Sequence, residues 1–266
     1  MDNLKDIQQF KNRLLDLADK SYNQGIFTFT SFLGLSEQDI YHSIENELRF
    51  AAPMLSGGLE SVGSSSNSRI CDRVVIRFGS KDELGYDVPF PIVCIHVEPL
   101  SQKFAEKLSH RDVLGALMNL GIERSTLGDI LVNEKEAFVF CLDSIAEYIC
   151  DSLFKIRHND VKTSIIDIND ENIVIPVEEP LVKAIQVASL RADAVISKVH
   201  NLSRDASLAL FKAQKVYING RLCENNSYKV NPSDVINARG FGKFTIGDDC
   251  HITKKGRTSL SVLIYR

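Results

Sequence analysis

Four adjacent residues, Ser109-His110-Arg111-Asp112, carry side chains that could do acid–base or binding chemistry. In one interpretation, His110 and Asp112 form a general acid and base. Neighbouring helical positions point in different directions, however, so adjacency is weak evidence for joint catalysis. In a second interpretation, Asp112 stabilises the first turn of a helix through the helix dipole. In a third, His110, Arg111 and Arg124 contact phosphate or a partner. We favour structure and binding, and we predict no catalytic residue.

Motifs for other kinds of catalysis do not occur in the sequence. A protein-kinase catalytic loop would need an asparagine five residues after Asp112, where Leu117 stands. The Gly- and Ser-rich residues 55–68 match neither G-x-x-x-x-G-K-[ST] nor G-x-G-x-x-G, so they predict a loop, with or without a contact to RNA phosphate. The six cysteines include no C-x-x-C pair. We therefore expect no metal, no cofactor and no small-molecule substrate.

Charge is divided unevenly along the chain. The net charge of the 266 residues is −4, with a pI near 5.9. Residues 181–266 hold eight Lys and six Arg against six Asp or Glu, a net charge of +8, so residues 1–180 carry −12. This asymmetry indicates that the C-terminal third meets a polyanion.

Membrane and secretion signals are not found in the sequence. No run of eighteen apolar residues occurs, so we expect no membrane span. The N-terminal residues MDNLKDIQQF lack the cationic start and apolar core of a signal peptide. We therefore expect a cytoplasmic protein.

Residues 1–70 are predicted to form a mainly helical segment. Apolar residues recur every three or four positions from Leu4 to Ala18, which predicts a helix that continues to about Tyr22. Ser36, followed by acidic residues, is typical of a capping box, so a second helix is predicted to run through Leu48.

Residues 71–170 show the pattern β-α-β-β-α-β, which predicts the ferredoxin-like arrangement that RNA-recognition (RRM) domains also use. Ser109 is expected to cap the first helix, and residues 144–156 are expected to form the second. Phe138 and Phe140 alternate on one face of a strand, where they could stack bases or belong to the core. The acidic, proline-containing residues 171–182 are predicted to be a linker.

Residues 183–266 have the pattern of two short helices followed by a small sheet. Apolar residues from Leu190 to Val199 have helical spacing, and Ser203 is a suitable N-cap for the next helix. Period-two alternation begins at Val216, and Asn219-Gly220 is a tight-turn dipeptide. The apolar positions expected for the second helix are Ala206, Leu208, Ala209 and Leu210.

Several segments resemble known RNA-binding families. Residues 190–193 (LRAD), 202–204 (LSR), 216–220 (VYING) and 233–236 (SDVI) resemble the S4 RNA-binding domain. Residues 109–115, 119–124 (NLGIER), 128–132 (GDILV), 239–244 (RGFGKF) and 254–257 (KKGR) extend the resemblance to the bacterial YlmH family. It covers roughly residue 30 to the C-terminus. It implies an α+β chain with a helical N-terminal segment, a ferredoxin-like (RRM-like) βαββαβ domain and a C-terminal S4-type ααβ domain.

The resemblance implies a non-catalytic RNA-binding protein of ribosome-associated quality control. Such proteins bind rRNA and tRNA on the large ribosomal subunit, beside peptidyl-tRNA. The expected partners are therefore rRNA, tRNA and the large subunit, and the expected location is the ribosome. The oligomeric state stays open. Two alternatives also stay open, namely an rRNA-modifying enzyme (a pseudouridine synthase or methyltransferase) targeted by an S4 domain, and a cell-division-associated factor.

Cations that bind phosphate are expected mainly in residues 183–266. Arg204 stands at the N-terminus of a helix, where free backbone N–H groups and the guanidinium can both meet phosphate. No aromatic row accompanies the cations, which favours recognition of structured RNA through shape and phosphate. The predicted RNA-binding residues are Arg191, Lys198, Ser203, Arg204, Lys212, Lys215, Asn219, Arg221, Lys229, Arg239, Lys243, Lys254, Lys255 and Arg257. His110, Arg111 and Arg124 are predicted to form a second contact with RNA or a partner.

Overall fold

Helices and strands are both abundant in the computed structural model, which describes residues 4–58, 71–167, 175, 180–253 and 256–265. The mixed α and β content predicted from the sequence is therefore confirmed. The chain divides into two units, residues 1–177 (unit 1) and residues 178–266 (unit 2). Within the described ranges, no helix combines the length and apolarity needed to cross a bilayer.

The first part of unit 1 packs two helices against a small sheet. Leu14 and Ala18 of the first helix are buried beside Leu48 of the second, and Gly25, with a φ of +64°, follows the first helix. Gly, which lacks a Cβ, adopts this left-handed conformation without strain. The elements are α1 Leu4–Gln24, β1 Thr28–Phe29, α2 Leu35–Leu48, β2 Met54–Ser56, β3 Val75–Phe78 and α3 Lys81–Leu84.

The predicted N-cap of α2 was wrong by two residues. The helix begins at Leu35, so the N-cap is Gly34, and Ser36 already lies in the first turn. The Glu37 carboxylate accepts the Gly34 N–H at 2.8 Å, which satisfies a donor that the helix itself leaves unpaired.

The predicted boundary at residue 70 was also wrong, and the N-terminal part is not purely helical. Strand β3 lies after that boundary, yet it pairs with β1 on one side and β2 on the other. Strand β3 therefore belongs with the N-terminal helices and not with the following sheet. Most of the Gly/Ser-rich loop, residues 59–68, lies outside the described residues.

The second part of unit 1 is a sheet covered by two helices on one face. Its strands are all antiparallel, in the order β5-β6-β4-β8-β7. Helices α4 and α5 bury Leu117 and Ile149 against strand residues such as Val139. The elements are β4 Ile92–Pro99, α4 His110–Asn119, β5 Leu127–Asn133, β6 Glu136–Leu142, α5 Asp143–Ser152, β7 Lys155–Ile156 and β8 Asn159–Ile166.

Helix α5 is shorter than the predicted range of 144–156. It ends at Ser152, and Leu153 is already extended, with φ −91° and ψ 90°. Ile156 is fully buried in β7, and Arg157 then turns the chain with a φ of +56°. Where the last turn of the predicted helix was expected, the chain instead forms the short strand β7 and buries Ile156 in it.

The other face of this sheet is part of the core. Phe138 and Phe140 are 3% and 0% exposed, and they pack with Leu131, Cys94 and Ile175. Of the two sequence interpretations of these phenylalanines, core packing is therefore the correct one. Neither ring is available to stack on an RNA base.

Unit 2 is a six-stranded antiparallel sheet with two helices. Its strand order is β11-β10-β12-β13-β14-β9. Phe244, Val216, Ile196 and Leu210 lie in its core. The elements are β9 Leu181–Val187, α6 Ala192–Val199, α7 Arg204–Lys212, β10 Val216–Ile218, β11 Arg221–Leu222, β12 Val235–Ala238, β13 Gly242–Ile252 and β14 Thr258–Tyr265.

Two predictions for unit 2 need correction. Strand β9 begins at Leu181, inside the predicted linker 171–182, because it pairs with β14 along its whole length. Residues 171–174 and 176–179 of that linker lie outside the described residues. In α7 the buried residues are Ser207, Leu210 and Phe211, whereas Ala206 and Ala209 are exposed.

Candidate nucleic-acid interface

One cavity in unit 2 brings together three of the predicted cations. It has a volume of about 390 Å³, and its lining includes Arg191, Lys198 and Arg204, together with Ser189 and Ser197. We call Arg191, Lys198 and Arg204 the basic groove. Lys198 is exposed in the last turn of α6, and Arg204 is the first residue of α7. The groove thus presents cations from two helices toward one volume.

The start of α7 adds backbone donors to this groove. The Ser203 Oγ caps the helix by accepting the Ala206 N–H at 3.1 Å, as its N-cap position predicts. Ser203 therefore shapes the helix end, while Arg204 is exposed beside it. A helix N-terminus attracts phosphate through its unpaired N–H groups and its dipole.

Arg191 is held in place by a buried carboxylate. Its Nε and Nη2 donate to the two oxygens of Asp193 at 3.0 and 2.7 Å, and Asp193 is only 4% exposed. Asn226 Nδ2 also donates to Asp193, at 3.0 Å. The hydrogen bond from Arg191 lowers the pKa of Asp193 even though burial opposes it, and the same bond raises the pKa of Arg191. Arg191 is therefore oriented, and partly neutralised, by the fold.

Lys229 lies beside Arg191 through the backbone. The two residues form an isolated antiparallel bridge, supported by a 2.9 Å hydrogen bond from the Val230 N–H to the Leu190 carbonyl. Lys229 is exposed at this point. The bridge therefore places a fourth predicted cation next to the basic groove.

The remaining predicted cations of unit 2 differ in exposure. Lys243 is 8% exposed in β13, with Nζ 5.4 Å from the centre of the Tyr265 ring, so the structure buries this predicted RNA-binding residue in a strand. Arg239 is exposed, with its guanidinium 4.7 Å from the Tyr217 ring centre. Lys254 and Lys255 lie outside the described residues. The other exposed cations are Lys212, Lys215, Arg221 and Arg257.

The Asn219 side chain belongs to a turn. Asn219 and Gly220 have φ angles of +52° and +76°, as expected for a tight hairpin turn. Asn219 Nδ2 donates to Asp234 Oδ1 at 2.8 Å, and Oδ1 accepts the Val235 N–H at 2.8 Å. The structure thus gives this amide a structural role in place of the predicted RNA contact.

Replacing Asn219 with alanine should therefore destabilise the protein without weakening RNA binding. The substitution removes both side-chain bonds and places a less tolerant residue at positive φ, at a cost of about 2 kcal/mol. Asn219→Gly, which keeps the backbone conformation, should cost less. Urea unfolding measures the stability, and titration with labelled rRNA below the melting temperature measures the affinity. An affinity loss in folded Asn219→Ala protein would restore the predicted RNA contact.

The predicted second contact is only partly available. Arg124 Nη1 donates to the carbonyls of Leu127 and Gly128 at 2.8 and 3.2 Å. Burial, and then the charge of nearby Arg73, lower the pKa of Arg124 to about 10. Arg73 likewise donates to the carbonyls of Phe32 and Leu127, at 2.8 Å each. These two arginines stabilise the fold where β5 meets the N-terminal part of unit 1.

His110 and Asp112 do not form an acid–base pair. The Ser109 N–H and Oγ–H both donate to Asp112 Oδ2, at 2.9 and 2.6 Å, so the carboxylate completes the cap of α4. These bonds lower the pKa of Asp112. Burial and the charge of Arg124 lower the pKa of His110, which disfavours the cationic form that would attract phosphate. Arg111, the remaining residue of the predicted second contact, is an exposed cation.

Metal chemistry receives no support from the described parts of the chain. Within these ranges, no group of three or more His, Cys, Asp or Glu residues is placed to hold a metal ion. Burial raises the pKa of Cys94 and Cys141 to about 12, so both are protonated core thiols.

Comparison with known proteins finds a family-model match in unit 1. Residues 88–170 match a family model described as "Putative RNA-binding domain in YlmH". A curated relative, "Ribosome-associated protein quality control protein P2" of Bacillus subtilis (strain 168), is 31% identical over 166 residues. Those residues are 61% of this chain and 62% of that protein. Neither match indicates a catalytic family.

A solved structure is also similar to this chain. It is the cell division protein ylmH from Streptococcus pneumoniae, which is 19% identical, with a TM-score of 0.45. The alignment covers 64% of this chain and 96% of that one. The family model and the curated relative confirm the resemblance seen in the sequence: this chain is similar to proteins of the YlmH family, and the similarity to the family model lies in residues 88–170.

Proposed function

We propose that this chain is a non-catalytic RNA-binding protein that binds rRNA and tRNA on the large ribosomal subunit, beside peptidyl-tRNA, in ribosome-associated quality control. The name of the Bacillus subtilis relative, a ribosome-associated quality control protein, supports the ribosomal setting. The net charge of +8 on residues 181–266 supports a polyanionic partner. The protein then acts in the cytoplasm, associated with the ribosome.

The observation that carries this proposal is the basic groove. Three cations line one cavity beside the N-terminus of α7, and they come from helices α6 and α7 and from the N-cap position of α6. In the other unit, the rings of Phe138 and Phe140 are buried, so the sheet lacks the exposed aromatics by which RRM domains stack bases. Cations without a stacking row favour recognition of structured RNA by its shape and its phosphates.

The two domain types are part of the same proposal. The antiparallel order β5-β6-β4-β8, with α4 and α5 on one face, supports a ferredoxin-like domain in residues 92–166. Helices α6 and α7 followed by the hairpin of β10 and β11 support an S4-type domain in unit 2. Its RNA surface is then the basic groove with Ser203, Lys212, Lys215, Arg221, Lys229, Arg239 and Arg257. Arg111 is the member of the predicted second contact that geometry favours.

Salt dependence tests this proposal. The logarithm of the affinity for rRNA or tRNA should fall linearly with the logarithm of salt concentration, by roughly 0.7 to 0.9 for each phosphate contact. Gentle sedimentation of the tagged protein should recover it with large subunits. A flat salt response, or recovery only in ribosome-free fractions, would contradict the proposal. A modification missing from the rRNA of a deletion strain would favour an rRNA-modifying enzyme instead.

A further inference from the structure

The RNA-binding surface within residues 88–170 cannot be the part of the sheet on which RRM domains stack bases. Phe138 and Phe140 are buried there, as described above. Further along the same face, His96 faces Glu136 at 3.2 Å, and Lys162 faces Glu98 at 3.0 Å. Two carboxylates beside a single lysine do not attract phosphate. A contact with RNA in this domain must therefore lie elsewhere.

Unit 1 contains a cavity whose lining carries the positive charge that the sheet face lacks. It lies between α4 and the segment from the end of α5 through β7, and its volume is about 570 Å³. This is within the roughly 300–1,000 Å³ typical of clefts for small ligands. Three cations line it, namely Arg111, Lys155 and Arg157, against one carboxylate, Asp112. We call Arg111, Phe154, Lys155 and Arg157 the nucleotide groove.

The cations of this groove can exchange their present partners for phosphate. Lys155 faces Asp160 at 3.9 Å, and both side chains are more than half exposed. Arg157 faces Asp112 at 3.6 Å, but the Asp112 carboxylate is already bound by Ser109. The exposed pair of Lys155 and Asp160 contributes little to stability, and the contact of half-exposed Arg157 with Asp112 is weakened because Ser109 already binds that carboxylate. A phosphate can therefore displace them at small cost.

Phe154 adds an apolar ring at the rim of the groove. It is 65% exposed, although its backbone is fixed by the 2.9 Å hydrogen bond from the Val161 N–H to its carbonyl. An exposed aromatic ring next to cations is the arrangement by which proteins hold an unpaired base, with the ring under the base and the cations on the phosphate. The hydrogen bond fixes the backbone from which the exposed ring projects.

We propose that the nucleotide groove binds one unpaired RNA nucleotide, with the base stacked on Phe154 and the flanking phosphate bound by Arg111, Lys155 and Arg157. This inference rests on the proposed RNA-binding function and adds a single-stranded site in unit 1 to the structured-RNA surface of unit 2. The nucleotide groove binds an unpaired nucleotide of the RNA, and the basic groove binds phosphates of a folded region.

The chain offers matched controls for two members of the site, Phe154 and Lys155. Phe104 is 79% exposed and lies 5.5 Å from Lys103 Nζ, so it is also an exposed ring beside a cation, but it does not line the groove. Lys107 is an exposed lysine that faces Glu134, as Lys155 faces Asp160. Arg157→Asn removes the charge and introduces a residue type that tolerates the φ of +56° at this position.

The test is binding of a fluorescently labelled 12-nucleotide oligouridine to the full chain, at low salt. Phe154→Ala should weaken binding about tenfold, within the range found for base stacking on aromatic rings. Lys155→Gln and Arg157→Asn should each lower the salt slope by about one. Phe104→Ala and Lys107→Gln should bind like the wild type. With an abasic oligonucleotide, Phe154→Ala and wild type should be equal, because no base remains to stack.

Several results would overturn the inference. Equal losses from Phe154→Ala and Phe104→Ala would show non-specific binding, and unchanged binding of the groove variants would show that the site is elsewhere. An acidic decaglutamate peptide whose binding depends on Phe154, with RNA binding that does not, would assign the groove to a protein partner. In one outcome, variants of the nucleotide groove bind RNA and ribosomes normally while variants of Lys198 and Arg204 in the basic groove do not. In that case the proposed function stands and this inference falls. Wild-type protein that binds neither RNA nor ribosomes contradicts both.

Discussion

Reversing two charges of the basic groove, with Lys198→Glu and Arg204→Glu together, should weaken binding to structured rRNA on the order of 100-fold at about 0.1 M salt. Each cation that meets a phosphate releases a counterion, and each glutamate then repels the same phosphate. The salt slope should fall by about two, which distinguishes lost contacts from lost fold.

The fold itself should tolerate this double substitution. Lys198 and Arg204 are both exposed, and the change at Arg204 places an acid in the first turn of α7, where it favours the helix dipole. The matched control is Lys183→Glu, which reverses an exposed cation in β9, outside the lining of the groove. Filter binding measures the RNA affinity, and thermal melting measures the stability, of the wild type, the double variant and Lys183→Glu. A double variant that binds like Lys183→Glu would remove the basic groove from the interface.

Local structure was largely predictable from the sequence because its determinants are local. Ser109 caps α4, and the turn after it contains Gly121 with a φ of +79°. Ser203 caps α7, and Asn219-Gly220 forms the expected turn. In each case a side chain or a missing Cβ acts within about four residues of its own position. The cap of α2 was misplaced because Ser36 is the commoner cap residue, whereas Glu37 compensates for Gly34.

Long-range pairing was not predictable in the same way. Strand β3 looks like a strand of the following domain, but its partners β1 and β2 lie before the Gly/Ser-rich loop. Lys243 follows glycine in what resembles a basic loop, but pairing with β12 and β14 makes it a buried strand residue. Register depends on the partner strand, and one sequence does not reveal that partner.

The candidate site also has a part that the sequence predicts and a part that depends on long-range structure. Residue types identified the cations, but only the fold shows that Arg191, Lys198 and Arg204 line one cavity. Arg124 resembles a binding residue in sequence, yet its guanidinium is bonded to backbone carbonyls. Phe154 lies within the range 144–156 predicted to be helical, yet the structure places it, exposed, beyond the end of α5. Exposure and bonding partners, which decide between structure and binding, are tertiary properties.

Replacing Asp193 with alanine should destabilise unit 2 by about 2–3 kcal/mol at neutral pH. The carboxylate is 4% exposed and accepts hydrogen bonds from Arg191, Asn226 and the Ala194 N–H. Its loss leaves the Asn226 amide and the Arg191 guanidinium without their shared acceptor, and it releases Arg191, the side chain of the basic groove that Asp193 holds in place. RNA affinity should therefore fall as well, even where the protein is still folded. The matched control is Asp205→Ala, because Asp205 is an exposed acid in the first turn of α7.

The pH dependence of this difference distinguishes an ionised Asp193 from a merely well-packed one. The hydrogen bond from Arg191 lowers the folded-state pKa of Asp193 below that in the unfolded chain. Stability from a carboxyl with a lowered pKa is present above its unfolded pKa of about 4 and is lost as pH falls through the folded pKa. The difference in unfolding free energy between wild type and Asp193→Ala should therefore be constant above about pH 5 and shrink below about pH 4. Urea unfolding at a series of pH values measures it. A difference that stays constant down to pH 2 would mean that packing, and not the charge of Asp193, supports Arg191.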